Sequence, residues 1–165
     1  MTSLQKTLDQ QRAADAWRCV SSCLNDAIAA LNAEIQKAKD QKRRSDLERK
    51  LDLLKRERAA NDWRKSYGSL ARKVPMLVLT NGLGQTLAFL RSKGKDDQSD
   101  EHNVLFRHLS EWTMRQVAPN TKDGDLLKWM LNNDSAAYRR ASTEALAYLV
   151  WLKRFAEAEL PTEEE

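Results

Sequence analysis

The chain has 165 residues, a formal net charge of +4, 41% hydrophobic residues, and only three prolines and five glycines. That length suits one domain with a core of its own, and the sparse β-branched residues beside abundant Ala, Leu, Lys, Arg, Glu and Gln predict an all-α protein. No apolar run approaches the ~20 residues that span a bilayer, and MTSLQKTLDQQ lacks the basic-then-apolar order of a secretory signal, so no membrane contact and a cytoplasmic location are expected.

Trp17, Val20, Leu24, Ile28, Leu31 and Ile35 recur at spacings of three and four, which marks an amphipathic first helix. Cys19 and Cys23 lie four apart on it. A metal reading wants further Cys or His at matching spacing, and the chain offers only His102 and His108, so the pair reads as small buried thiols. The polar cluster DQKRRSD at 40–46 interrupts the apolar stripe. Ser45 with Glu48 three residues on has the form of a capping box, and Leu47, Leu51 and Leu54 begin a new stripe. Two antiparallel helices joined near 40–45 form the expected N-terminal hairpin; one long helix is the competing reading.

Residues 74–91, VPMLVLTNGLGQTLAFLR, are the most informative stretch. Pro75 pushes Val74 toward extended geometry and suits the first position of a new helix. Met76, Leu79, Leu83, Leu87 and Leu90 line one face of that helix, while Leu77, Val78, Ala88 and Phe89 cover much of the rest, so it is expected to be central. Gly82 and Gly84, beside Asn81 and Gln85, then fall inside a helix, where each glycine costs about 1 kcal/mol relative to alanine. Close approach by another helix, another subunit or a ligand is the expected return. MLVL as a buried strand is an alternative without a partner strand. The NGLG segment also resembles half a dinucleotide fingerprint, but Leu87 stands where its third glycine belongs and no βαβ pattern surrounds it.

Lys93 and Gly94 read as the stop of this helix. KDDQSDE at 95–101 reads as a solvated acidic loop, and a metal is not needed to explain Asp96, Asp97, Asp100, Glu101 and His102. Leu105, Leu109, Trp112 and Gln116 mark a further helix that ends by Pro119, with His108 read as a satisfied, partly buried histidine. Asp123, Gly124 and Asp125 open a short helix over Leu126, Leu127, Met130 and Leu131. The last helix follows Asn133, Asp134 and Ser135, and carries Tyr138, Ala141, Ala145, Tyr148, Leu149, Leu152 and Phe155 on one face, broadened by Leu146, Val150 and Trp151. The sum is an all-α, single-domain bundle of about six helices over 1–165, with a charged helical extension at 34–62 and an acidic tail at 161–165.

Charge is unevenly placed. Between residues 37 and 73 there are fourteen Lys/Arg against six Asp/Glu, a local balance of +8 that leaves −4 for the rest. A polyanion, above all nucleic acid, is one reading of that asymmetry; solvated helix faces are the other. Arg72 and Lys73 precede the glycine segment, and Arg91 and Lys93 follow it. Arg139 and Arg140 precede Lys153 and Arg154 by fourteen residues, nearly four turns or about 21 Å, so the two pairs share one side of a helix. The same residues also allow i,i+4 pairs, Arg140 with Glu144 and Lys153 with Glu157. Trp17, Trp112 and Trp151 fall on apolar faces and read as core, whereas Trp63 sits amid charges. The chain contains no nucleophile elbow, HExxH, P-loop or deaminase signature. No catalytic residue, metal or cofactor is expected.

Three ordered blocks carry a resemblance: SLARKVPMLVLTNGLGQTLAFLRSKG at 69–94, LFRHLSEW at 105–112 and YRRASTEALAYLVWLKRFAEAEL at 138–160, with QRAADAWRCV at 11–20 fitting an opening helix. Together they resemble the small helical subunit of the Cmr CRISPR effector, the type III-B complex. The likeness covers residues 8–24 and 64–160, and 34–62 looks longer and more charged than the family. The resemblance implies a non-catalytic protein that stacks in several copies beside the backbone of an antiviral ribonucleoprotein. Its implied partners are the backbone and large subunits, further copies of itself, and guide and target RNA. Arg72, Lys73, Arg91, Lys93, Arg139, Arg140, Lys153 and Arg154 are then the expected phosphate-facing pool, and Asn81, Gly82, Gly84 and Gln85 the expected packing or interface group. Phosphate contacts would be sequence-independent, as suits a complex whose specificity comes from guide pairing. A helical protein–protein scaffold with little RNA contact is the alternative.

Overall fold

The computed structural model describes residues 6–162. Among them the chain forms seven α-helices and no strand: α1 (Leu8–Lys37), α2 (Gln41–Leu54), α3 (Glu57–Asn81), α4 (Leu83–Gly94), α5 (Glu101–Val117), α6 (Leu126–Leu131) and α7 (Ser135–Glu159). From Glu163 on, the expected acidic tail lies outside the described residues. No described helix is long and apolar enough to cross a membrane.

Thr7 opens α1 with a capping box, its hydroxyl accepting the Gln10 N–H while the Gln10 side chain accepts the Thr7 N–H. Ala16, Cys19, Val20, Cys23, Leu24, Ala27, Leu31 and Ile35 form the buried stripe. The turn into α2 is tighter than expected. Asp40, not Ser45, is the N-cap, its carboxylate accepting the Lys42 and Arg43 N–H groups. Ser45 already lies inside the helix. α2 packs on α1 and turns Leu51 and Leu54 inward, so the stripe 47–54 is used within the fold rather than offered to a partner. A break at Lys55 and Arg56 separates α2 from α3 and supplies the seventh helix.

α3 differs most from expectation. It runs through Pro75, which sits inside the helix rather than at the start of a new one, and Val74 is helical and buried. A proline there removes a backbone bond at a cost of ~3 kcal/mol, but Ala71, Val74 and Val78 bury around it and offset the loss. The helix ends instead at Gly82, whose φ of 86° and ψ of 159° lie in a region essentially restricted to glycine. Gly82 and Gly84 therefore make an elbow between α3 and α4 and are not interior to one helix. The outward side of the elbow also departs from the expected apolar face. Leu83, Leu87 and Leu90 are buried, whereas Met76 and Leu79 are 64% and 66% exposed.

α7 is the spine of the bundle, packing on α1, α3, α5 and α6. Its buried Ala141, Ala145 and Ala156 let neighbours approach closely, and Tyr148, Leu149 and Leu152 fill the space between them. Tyr138 meets Gly82 and Gly84 while Leu160 meets Gly68, so α3 and α7 run antiparallel. α1 runs in the same sense as α7, with Arg12 against Glu144, Asp15 against Tyr148 and Trp17 against Phe155.

The segment after α4 is stitched down rather than free in solvent. Asp97 is half-buried, paired with Lys50 of α2 and bonded to the Ser99 N–H and hydroxyl. Trp63, set amid charges in the sequence, donates its indole N–H to Ser99 O at 2.9 Å and is buried in the core against Tyr67. Gly94 is also more than a helix stop, because a Cβ there would run into the Asn103 carboxamide.

Candidate nucleic-acid interface

The eight basic residues expected to face phosphate divide into engaged and free groups. Arg72 is half-buried on α3, its Nη1 enclosed beside Gly68 without a hydrogen-bond partner among the described residues. Lys73 is exposed on the same helix. Arg91 is bound on two sides, donating to Asp125 at 2.6 Å and lying over the Phe106 ring at 4.6 Å. It ties α4 to the start of α6. Lys93 is exposed, with its ammonium 5.9 Å from the Phe89 ring centroid.

The α7 group is different. Arg139 and Arg140 are exposed and make no ion pair among the described residues; Lys153 is half-buried and likewise unpaired there. Arg154 is 70% exposed and pairs with Glu157 at 3.1 Å. The i,i+4 pairs that the sequence allows do not form. Glu144 turns inward to Arg12 and Trp112, and Glu157 takes Arg154 rather than Lys153. Arg140, Val150 and Arg154 consequently share one outward stripe of α7, with Arg139 at its edge. The structure does not gather all eight residues into one patch. Arg140 and Arg154 lie on one stripe of α7, with Arg139 at its edge and Lys153 off it, whereas Arg72 and Arg91 are spent largely on the fold.

The packing or interface group is also split. Asn81 and Gln85 are exposed, while Gly82 and Gly84 receive Tyr138 from α7. The Gly84 N–H donates to the Tyr138 hydroxyl at 3.2 Å, and a Cβ on Gly82 would lie 3.1 Å from the same oxygen. The close approach expected at these glycines is therefore intramolecular, from one aromatic side chain.

Buried polar networks hold the stripe in place. Arg12 donates two hydrogen bonds of 2.8 Å to Glu144, whose carboxyl is held below its usual range by that partner against the opposing effect of burial. Asp15 is likewise held low: burial acts against its charge, but bonds from Tyr148, Arg115 and Arg18 prevail. Burial pushes the Cys19 thiol up to about 12 and the Cys23 thiol to about 11, so both stay protonated and inert, as the sequence reading expected of buried thiols.

His108 joins three helices. Its Nδ1 lies 2.7 Å from the Tyr67 hydroxyl and its Nε2 lies 2.7 Å from Asp26 Oδ2. An anionic Asp26 fixes the proton on Nε2, leaving Nδ1 to accept from Tyr67. The order carboxylate, imidazole, hydroxyl resembles a nucleophile relay, but Tyr67 is fully buried and its hydroxyl proton is held more tightly than usual by burial. The relay serves as a clamp between α1, α5 and α3. At the start of α5, Asp100, Glu101 and His102 lie together, with Asp100 acting as N-cap and accepting from the His102 backbone.

One surface feature was not legible in the sequence. Trp17, expected in the core, is 45% exposed and borders the α7 stripe through Phe155. Helical spacing placed it on the apolar face, but the face that buries is centred on Ala16, Cys19, Cys23 and Ala27, which leaves Trp17 at its edge.

The family model described as CRISPR-associated protein (Cas_Cmr5) matches residues 39–159, and so takes in much of the charged stretch that the sequence reading set apart. A CRISPR system Cmr subunit Cmr5 of Thermus thermophilus is 36% identical over 103 residues, covering 62% of this chain and 82% of the relative. The Cmr5 subunit of Thermotoga maritima is 30% identical over 110 residues, covering 66% of this chain and 78% of the relative. The crystal structure of a CRISPR-associated Cmr5 family protein, also from Thermus thermophilus, aligns with a TM-score of 0.57 and 25% identity, over 94% of this chain and 100% of that one. With the matched model spanning most of the chain and the helical architecture shared, the chain belongs to the Cmr5 family of CRISPR-associated proteins.

Proposed function

We propose that this chain is a non-catalytic structural subunit of a type III-B CRISPR (Cmr) ribonucleoprotein. It stacks in several copies along the backbone and supports guide RNA–target RNA binding through the outward stripe of α7. The observation that carries the RNA contact is the state of Arg139 and Arg140, exposed and without a carboxylate partner among the described residues. Arg154 extends their line by nearly four turns, about 21 Å, a length over which a nucleic-acid backbone presents several phosphates. Lys73, Lys93 and Lys153 add exposed or half-exposed charge from other parts of the surface, and Arg72 and Arg91 contribute mainly to the fold.

The same subunit needs a way to meet its neighbours. Met76 and Leu79 on α3, with Asn81 and Gln85 beyond them, form an apolar surface with a polar border, the composition of a protein contact. That surface is assigned to the backbone and large subunits and to further copies of the chain. It also favours the scaffold reading, in which these contacts suffice and RNA is touched little.

Reversal of both Arg139 and Arg140 to glutamate, assayed in the assembled complex, separates the readings. Direct phosphate contact requires weaker target-RNA retention and a shallower dependence of affinity on salt, with assembly intact. Unchanged affinity and salt slope would leave the scaffold reading alone.

A further inference from the structure

Of the five tryptophans, Trp17 is the one left nearly half exposed, at 45%. It does not stand loose. Its ring meets Phe155 edge-on with centroids 5.1 Å apart, Phe155 stacks on Trp151 at 5.7 Å, and Asp9 accepts the Trp151 indole N–H at 2.9 Å. α1 and α7 therefore fix three rings in a row, and the outermost faces solvent. Phe155 and Trp151 are half-buried against the core, whereas Trp17 is exposed.

The surroundings suit a planar ligand. Ala14 and Ser21, three residues before and four after Trp17, are small and exposed, so its own helix does not cover the ring. Three acids of this region are engaged, Asp9 by Trp151, Asp15 by Arg18, Arg115 and Tyr148, and Glu157 by Arg154, while Glu159 lines the hollow beside Ser21 without an ion pair among the described residues. The arginine heads stay outward, with Arg18 52% and Arg154 70% exposed. Val150, between Arg140 and Arg154 along the stripe, adds apolar surface of the kind a ribose or base covers.

We infer that Trp17, backed by Phe155 and Trp151, is a stacking platform for an unpaired base of single-stranded RNA whose phosphates follow Arg140 and Arg154. The inference rests on the RNA reading of the α7 stripe and specifies it further. Unpaired bases offer a free π-face to an aromatic ring, while cations track the backbone, and such stacking is tolerant of sequence. A duplex keeps its bases stacked and offers no free face. The platform consequently prefers a single-stranded segment over the paired region.

The test uses the full chain with a short fluorescein-labelled single-stranded RNA and a duplex of the same length, read by anisotropy. Trp17→Leu keeps apolar bulk but removes the ring; Trp17→Phe keeps a ring. The expected result is a loss of roughly 5- to 150-fold in single-strand affinity for Trp17→Leu, near-parent affinity for Trp17→Phe, and no change on the duplex. Equal single-strand affinity for Trp17→Leu and parent overturns the platform. If reversing Arg140 and Arg154 still weakens binding in that case, the phosphate reading stands without it. Equal losses on both RNAs also overturn it, because the ring then does not distinguish unpaired bases. Weaker capture of other complex subunits by Trp17→Leu, at unchanged RNA affinity, assigns the ring to a protein and overturns it too. Failure of the parent chain to bind either RNA removes both the platform and the direct RNA contact.

Discussion

Arg12 and Glu144, 132 residues apart, meet through two parallel hydrogen bonds, Nε to Oε1 and Nη2 to Oε2, both at 2.8 Å. Trp112 adds its indole N–H to the same carboxylate at 2.8 Å. One acid on α7 thereby fixes α1 and α5, and with them the seam that carries Trp17.

Glu144→Ala leaves the Arg12 guanidinium and the Trp112 N–H without their acceptor. The side chains of Arg12 and Glu144 are only 17% and 10% exposed, so the loss is that of a largely buried pair. The expected cost is about 3 kcal/mol, or roughly 6–12 °C in melting temperature for a chain of this size. A thermal melt followed by circular dichroism checks it.

Acid sensitivity follows from the same group of carboxylates. Glu144, Asp15 and Asp26 each have a folded-state pKa held below the ordinary value: by Arg12 for Glu144, and for the other two by hydrogen bonds that outweigh burial. A depressed acid contributes stability that is fully present above its unfolded value, near 4, and disappears as pH falls through the folded value. Urea midpoints are therefore expected to hold from pH 7 to about 5 and fall below 4. Asp26→Asn should start lower and fall less over the acid range.

Thr113 is fully buried and its hydroxyl finds no partner among the described residues. Thr113→Val removes an unsatisfied polar atom while keeping the shape, and is expected to raise stability by up to about 1–2 kcal/mol. A higher urea midpoint with unchanged slope checks it.

Backbone conformation gives an opposed pair. Lys95 holds φ at 48° and ψ at −130°, strained for a side-chain-bearing residue, so Lys95→Gly is expected to stabilise by about 1 kcal/mol. Gly82→Ala does the reverse. It places a Cβ at φ 86° and 3.1 Å from the Tyr138 hydroxyl, with an expected loss of about 1–3 kcal/mol. Denaturant titrations of the two variants should shift in opposite directions.

Much of the bundle was legible in the sequence because its apolar spacing is regular. The buried residues of α1 and α7 recur at three and four, and Asp125 and Asp134 cap α6 and α7 where turn-forming residues stand. Local rules misplaced the region around Pro75. Proline chemistry favours a helix start there, but burial of Ala71, Val74 and Val78 carries α3 onward to Gly82. The fate of each arginine was not legible either. Arg91 has Asp125 and Phe106 as partners only because α4, α5 and α6 converge, and Glu144 ignores its i,i+4 neighbour for an arginine at the far end of the chain. Pairing across the fold decides which cations remain available to a ligand.

The most direct measurement is ultraviolet crosslinking of the assembly purified through a tagged copy of this chain, with identification of its proteins, its RNA and the crosslinked peptides. Guide RNA and Cmr backbone subunits should co-purify, and RNA adducts on this chain should map to the peptides bearing Arg139, Arg140 and Arg154. Recovery of the complex with every adduct on other subunits would contradict RNA contact by α7, and recovery of neither guide RNA nor those subunits would contradict membership of the ribonucleoprotein.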